Sequence, residues 1–181
     1  MNTEAELIQR AYRLDGQALA EIYDAHSDEI YRYAMRLLGD VDTAEECVSE
    51  TFTRFLTALK KKNKAPENLR AYLFRIAHNW ITDFYRRSAP ESQPIDDEIP
   101  LASDENPAKQ AFENLQMERT RVALQQLTPD QREVIMLKFF EGWENAEIAA
   151  SLHKPIGAVK SLQHRGLAAL KRILLEDDDH E

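Results

Sequence analysis

Residues 127–173, LTPDQREVIMLKFFEGWENAEIAASLHKPIGAVKSLQHRGLAALKRI, read as a helix-turn-helix that ends in a basic, glycine-started reading helix, and so point to double-stranded DNA. Thr128 can cap the first helix, Pro129 suits its first position and Gln131 completes a capping box. Val134, Ile135, Leu137 and Lys138 follow at amphipathic spacing, with Phe139 and Phe140 adding apolar bulk. A short helix is predicted over Asn145 to Leu152, with Asn145 as its cap and Ile148, Ala149 and Leu152 turned inward. His153-Lys154-Pro155 breaks it. The last helix runs from about Pro155 to about Leu175, burying Val159, Leu162, Gly166, Leu170 and Ile173 along one stripe. Its other face carries Lys160, Ser161, His164, Arg165, Lys171 and Arg172, with no acidic residue before Glu176. The N-terminal part of a reading helix meets base edges, and arginine there often pairs with guanine.

The rest of the chain sets limits on this reading. Its 181 residues allow one or two compact domains, and five glycines amid many helix formers favour an all-helical protein. A net charge of -9 excludes indiscriminate coating of nucleic acid, because such affinity comes from phosphate neutralisation. DNA binding is therefore local or lent by a partner. The single cysteine, Cys47, lies among helix formers and reads as a buried structural thiol of a reducing cytosol. No signal-peptide run or membrane-length apolar span is present, so a cytoplasmic protein without membrane insertion is expected. The five histidines are scattered, and no phosphate-binding glycine loop or zincin motif occurs; no enzyme, cofactor or metal site is expected.

The texture changes over residues 88–109, SAPESQPIDDEIPLASDENPAK, where prolines interrupt any helix and acidic residues favour a solvated path. The expected architecture is thus all-α, with two helical domains joined by a flexible linker: residues 1–87, the linker 88–109, a helix-turn-helix domain 110–175 and an acidic tail 176–181. Four helical patterns fill the first domain. Thr3 to Leu14 is followed by Gly16 to Leu38, whose inner side would use Leu19, Ile22, Tyr23, His26, Ile30, Tyr33, Ala34 and Leu37. Asp42, with Glu45 three residues on, looks like the cap of a helix through about Leu59 that buries Ala44, Val48, Thr51, Phe52, Phe55 and Leu59. A basic loop, residues 60–66, precedes a fourth helix capped by Asn68 and ending near Arg87.

That fourth helix, ENLRAYLFRIAHNWITDFYRR, mixes aromatic with base-capable side chains. Arg75, His78, Asn79, Asp83, Arg86 and Arg87 have no evident core use, and aromatics interleaved with cations suit unstacked single-stranded DNA. Trp80 and Phe84 can equally be core, since helical spacing does not decide.

The ordered blocks AEECVSETFTRFL, ENLRAYLFRIAHNWITDFYRR, LTPDQREVIMLKFFEG, AEIAASL and GAVKSLQHR resemble those of the extracytoplasmic-function (ECF) sigma factors of bacteria, over nearly the whole chain except the linker and tail. The resemblance implies a promoter-specificity subunit of RNA polymerase. In it, the outward Glu46, Ser49, Glu50 and Arg54 would dock on polymerase core. Residues 63–87, with Lys64, Arg75, His78, Asn79, Trp80, Asp83, Arg86 and Arg87, would read and open the minus-ten element, Asn79 lying where an extruded base is held. Lys160, Ser161, His164, Arg165, Lys171 and Arg172 would read the minus-thirty-five element. The linker would run through the polymerase channel, and an anti-sigma factor is the further partner implied.

The chain departs from the family pattern at Glu46 and Ser49, where aspartate and glutamine are common, at His153, where glycine is common, and at Lys154, where a serine or threonine cap is common. The turn at His153 tends to need a left-handed backbone, which histidine adopts at a cost of ~1 kcal/mol. Two other functions fit parts of the same pattern: a stand-alone helix-turn-helix regulator, and a sigma mimic that sequesters an anti-sigma factor.

Overall fold

The computed structural model describes residues 4–61, 66–88 and 107–178, the side chains of 107–112 and 176–178 excepted. Among these residues there are eight α-helices and no strand: α1 Glu4–Tyr12, α2 Gly16–Leu38, α3 Val41–Lys60, α4 Leu69–Ser88, α5 Pro107–Gln125, α6 Pro129–Ile135, α7 Asn145–Leu152 and α8 Ile156–Asp178. The first four form one module. Helix α5 begins inside the stretch read as linker, and α8 continues past Leu175.

In the first module, α2, α3 and α4 pack on one another and α1 closes one end. The predicted inner face of α3 is buried at every position, as is Cys47, whose thiol burial pushes up to about 12. That thiol is inert at neutral pH. Helix α3 starts two residues earlier than expected. Asp40, not Asp42, is its cap, accepting from the Thr43 N–H at 2.7 Å, because Asp40 alone has the extended backbone the cap requires. Asn68 caps α4 by accepting from the Ala71 N–H at 2.8 Å. On α2, Tyr23 is half exposed rather than inward, lying with its ring 4.7 Å from that of Phe52.

In the second module α8 is the spine against which α5, α6 and α7 pack. The capping box at Thr128 and Gln131 forms, and Gly166 lets Ile135 approach where a Cβ would meet it at 3.0 Å. Glu144 rather than Asn145 caps α7; its N–H donates to Glu147 Oε2 at 2.7 Å, while Asn145 Oδ1 accepts from Gln163 of α8 at 2.6 Å. The larger departure is a π turn at Met136–Phe140 that follows α6. One extra residue per turn rotates the following side chains, so Phe139 (54% exposed) and Phe140 (39%) face outward and Trp143 (2%) takes the buried place.

The modules lie against each other along α2 and α4. Trp143 packs edge-on to Phe74 of α4, 5.4 Å between ring centroids, with the Arg70 guanidinium 4.8 Å from the centre of the Trp143 ring and 5.5 Å from that of Phe74. Arg36 of α2 meets Glu141 at 2.6 Å. Gly39 ends α2 with φ 74°, and the Arg121 side chain of α5 passes so close that any Cβ there would collide with it.

Candidate nucleic-acid and polymerase interfaces

Helix α8 is positioned by the turn before it. His153 ends α7 at φ 51°, ψ 40°, the left-handed geometry expected there. The Lys154 N–H donates to Ala149 O at 3.0 Å, and its ammonium reaches Asp130 of α6 at 2.8 Å. Together these contacts join both ends of the helix-turn-helix. Val159, Leu162, Gly166 and Ile173 are buried, which turns Lys160, Ser161, His164, Arg165, Lys171 and Arg172 to solvent on one face. Ser161 Oγ donates back to Gly157 O at 2.9 Å, and Arg165 Nε to Ser161 O at 3.3 Å, so the guanidinium stays close to its own helix. None of these side chains contacts an acidic group in the ion pairs among the described residues.

On α3, Glu46, Ser49 and Arg54 are exposed and Glu50 is half exposed. Glu50 and Arg54 pair at 2.8 Å, one turn apart. An exposed pair of this kind contributes little to stability, leaving both groups available to a docking surface.

Helix α4 is less uniform. Asn79, Arg86 and Arg87 are exposed, and Asp83 is half buried and pairs with Arg86 at 2.9 Å. Lys64 lies outside the described residues. Two residues expected to meet DNA are instead interior in this arrangement. Trp80 (3% exposed) stacks on Phe84 with centroids 5.5 Å apart and planes at 16°, completing the core stripe of α4. His78 (4% exposed) has a core use after all, with Nδ1 2.9 Å from the Tyr33 hydroxyl and Nε2 3.3 Å from Thr82 Oγ1. Burial pushes its imidazole down to about 3, the nearby Arg132 adding to the effect. Arg75 is half buried, its Nη1 3.1 Å from His153 Nε2 of the second module. A cleft of about 700 Å³ remains between α4 and α7, bordered by Asn68, Tyr72, Arg75, Glu147, Ser151 and His153.

Sequence reasoning missed two residues that build the site. Arg132 is buried and donates to the carbonyls of Leu124 (2.9 Å), Gln125 (3.1 Å) and Leu127 (3.1 Å), tying the end of α5 to α6, and its guanidinium lies 4.8 Å from the Tyr85 ring of α4. Glu133 (6% exposed) lies 3.5 Å from His78 across the module boundary. Burial pushes its carboxyl up to about 8. Its one sequence signal was a charge at an inward helical position.

A two-module helical protein with an acid-free, basic helix-turn-helix face is a DNA-binding protein by class. The chain matches Sigma-70 region 2 over residues 22–91 and Sigma-70 region 4 over residues 117–170. It is 34% identical over 172 residues to the ECF RNA polymerase sigma factor SigL of Mycobacterium tuberculosis, covering 91% of this chain and 96% of that protein. It is 32% identical over 174 residues to the ECF RNA polymerase sigma factor BldN of Streptomyces coelicolor, covering 95% of this chain but 66% of that longer protein. Its fold is similar to that of CnrH, solved in complex with the cytosolic domain of CnrY, with a TM-score of 0.69 at 24% identity over 94% of this chain and 96% of that one. The chain belongs to the ECF family of RNA polymerase sigma factors. No helix among the described residues is long and apolar enough to cross a membrane.

Proposed function

We propose that this sigma factor docks on polymerase core through Glu46, Ser49, Glu50 and Arg54 of α3, opens and reads the minus-ten element with α4, and reads the minus-thirty-five element with the exposed face of α8. The observation that carries the reading is that α8 face, which presents Lys160, Arg165, Lys171 and Arg172 with no acidic residue from Ile156 to Leu175 in a chain whose net charge is -9. So small a basic area supports only weak binding to free duplex at physiological salt. Core must therefore supply the remaining affinity and set the two modules at the promoter spacing. Asn79, exposed on α4, has the donor and acceptor needed to read the edge of an extruded base, with Arg86 and Arg87 beside it for phosphates. Because its template is promoter DNA, the chain works in the cytoplasm. An anti-sigma factor is its regulatory partner in the same scheme.

The test is a footprint with and without core. Core plus this chain should protect two separated elements upstream of a start site, whereas the chain alone should protect neither. Tight protection by the chain alone, at one palindromic site, would instead establish a stand-alone regulator.

A further inference from the structure

The modules meet at a buried polar contact that promoter reading does not use. Glu133 of α6 and His78 of α4 face each other at 3.5 Å, both with side chains under a tenth exposed. His78 is held on its other side by Tyr33 of α2 at 2.9 Å. The same closure sets Arg75 of α4 against His153 and covers α4 with α7. It is an imperfect closure. The cleft of about 700 Å³ stays open within it, and Arg75 Nε, Ser151 Oγ and Trp143 Nε1 are buried without a hydrogen-bond partner in the protein. Buried donors left unpaired weaken an interface, so this one is suited to opening.

We propose that the two modules close on each other by taking up one proton at the His78–Glu133 contact, so that the closed form is a resting state that releases α4 as pH rises. The consequence for promoters rests on α4 being the minus-ten helix; the closing equilibrium itself does not.

Closed, Glu133 keeps its proton up to about 8, with burial the main cause, Asp130 adding to it and Arg75 and Lys154 opposing. Separated, it returns to the ordinary carboxylate value of 4.5. Closed, burial keeps His78 neutral down to about 3, and Tyr33 and Thr82 of its own module hold the ring on its other sides. Between 6.5 and 8, His78 is neutral in both forms while Glu133 is charged only when the modules are apart, so closing takes up a proton. The closing constant therefore falls as pH rises through this range, by at most about tenfold per pH unit. The other groups of shifted titration around the His78–Glu133 contact do not reverse this, and His153 also faces the closure, against Arg75. Tyr33 and Tyr85 are raised by burial, Cys47 stands at about 12, and Arg132, although lowered, remains a cation. Glu141 is also raised by burial, with Arg36 opposing, and acts in the same sense.

The experiment uses the free full-length protein with fluorophores on Thr53→Cys of α3 and Ala168→Cys of α8, both exposed positions; Cys47 is buried and stays unlabelled. Energy transfer is read from about pH 6 to about pH 9 in the parent and in Glu133→Gln, which keeps the shape but cannot ionise. The parent should open as pH rises, and the glutamine variant should lose most of that transition, keeping only what Glu141 contributes. A parent with no transition, or a glutamine variant with the same transition, overturns the proposal. Should the variant fail to fold, carboxyl resonances of glutamate-labelled parent decide: one must titrate near 8 together with opening, and ordinary titration of all of them overturns it. Promoter footprints with core are a separate readout, so failure of the sigma reading would leave this transition in place.

Discussion

Replacing Arg132 with leucine should cost the second module about 2–4 kcal/mol. The guanidinium donates to three carbonyls, of Leu124, Gln125 and Leu127, at 2.9–3.1 Å, where α5 ends; the Leu124 carbonyl also accepts from the Leu127 N–H at 3.2 Å, so the loss falls mainly on the other two. Each buried carbonyl left without a donor costs roughly 1–3 kcal/mol, and the ring contact with Tyr85 is lost as well. Against this, a buried cation no longer has to be desolvated, which recovers several kcal/mol of the gross loss. Leucine also fills much of the arginine stem's volume, so cavity formation adds little. The net loss corresponds to a melting point about 4–16 °C lower for a chain of this size. Urea denaturation in a Trp80→Phe background, so that fluorescence reports Trp143 of the affected module alone, with circular dichroism beside it, gives the number directly. A variant within about 0.5 kcal/mol of the parent would mean that the three carbonyl bonds do not hold α5 to α6.

Arg165→Ala should weaken use of promoters that depend on the upstream element by roughly tenfold or more, with core binding unchanged; equal activity on all promoters would remove Arg165 from base reading. Asn79→Ala should impair opening of duplex promoters more than transcription from templates already melted at the minus-ten position, and an equal effect on both would rule out a base pocket there. Glu50→Lys breaks the pair with Arg54 and reverses the charge of the outward α3 face, so affinity for core should fall at least tenfold with helix content preserved. An unchanged affinity would take this face out of the interface.

Much of the fold was legible because its signals are local. The Thr128 capping box, the Asn68 cap and the buried stripe of α3 each depend on a few neighbouring residues and form as the spacing predicts, and the left-handed turn at His153 forms as the family resemblance implied. The π turn at Met136–Phe140 was not legible, because periodicity presumes one helical pitch, whereas the wider turn leaves Phe139 and Phe140 exposed and Trp143 buried. The exposed faces of α3 and α8 follow from the same periodicity by complement. Helix α4 does not, because His78 and Arg75 acquire their surroundings from α2 and from the second module, far away in sequence, and spacing alone left Trp80 open between core and surface. A polar side chain on an amphipathic helix reads as surface until a distant partner, here Tyr33, gives it a buried hydrogen bond.

The central claim is that this chain confers promoter choice on polymerase. Purified chain added to sigma-free core, with transcripts sequenced from fragmented DNA of its own host, tests it most directly. Discrete start sites sharing two spaced upstream motifs are the result this account predicts. Firm core binding without such starts would contradict it in favour of a sigma mimic, and absence of core binding would return the chain to the class of stand-alone DNA-binding regulators.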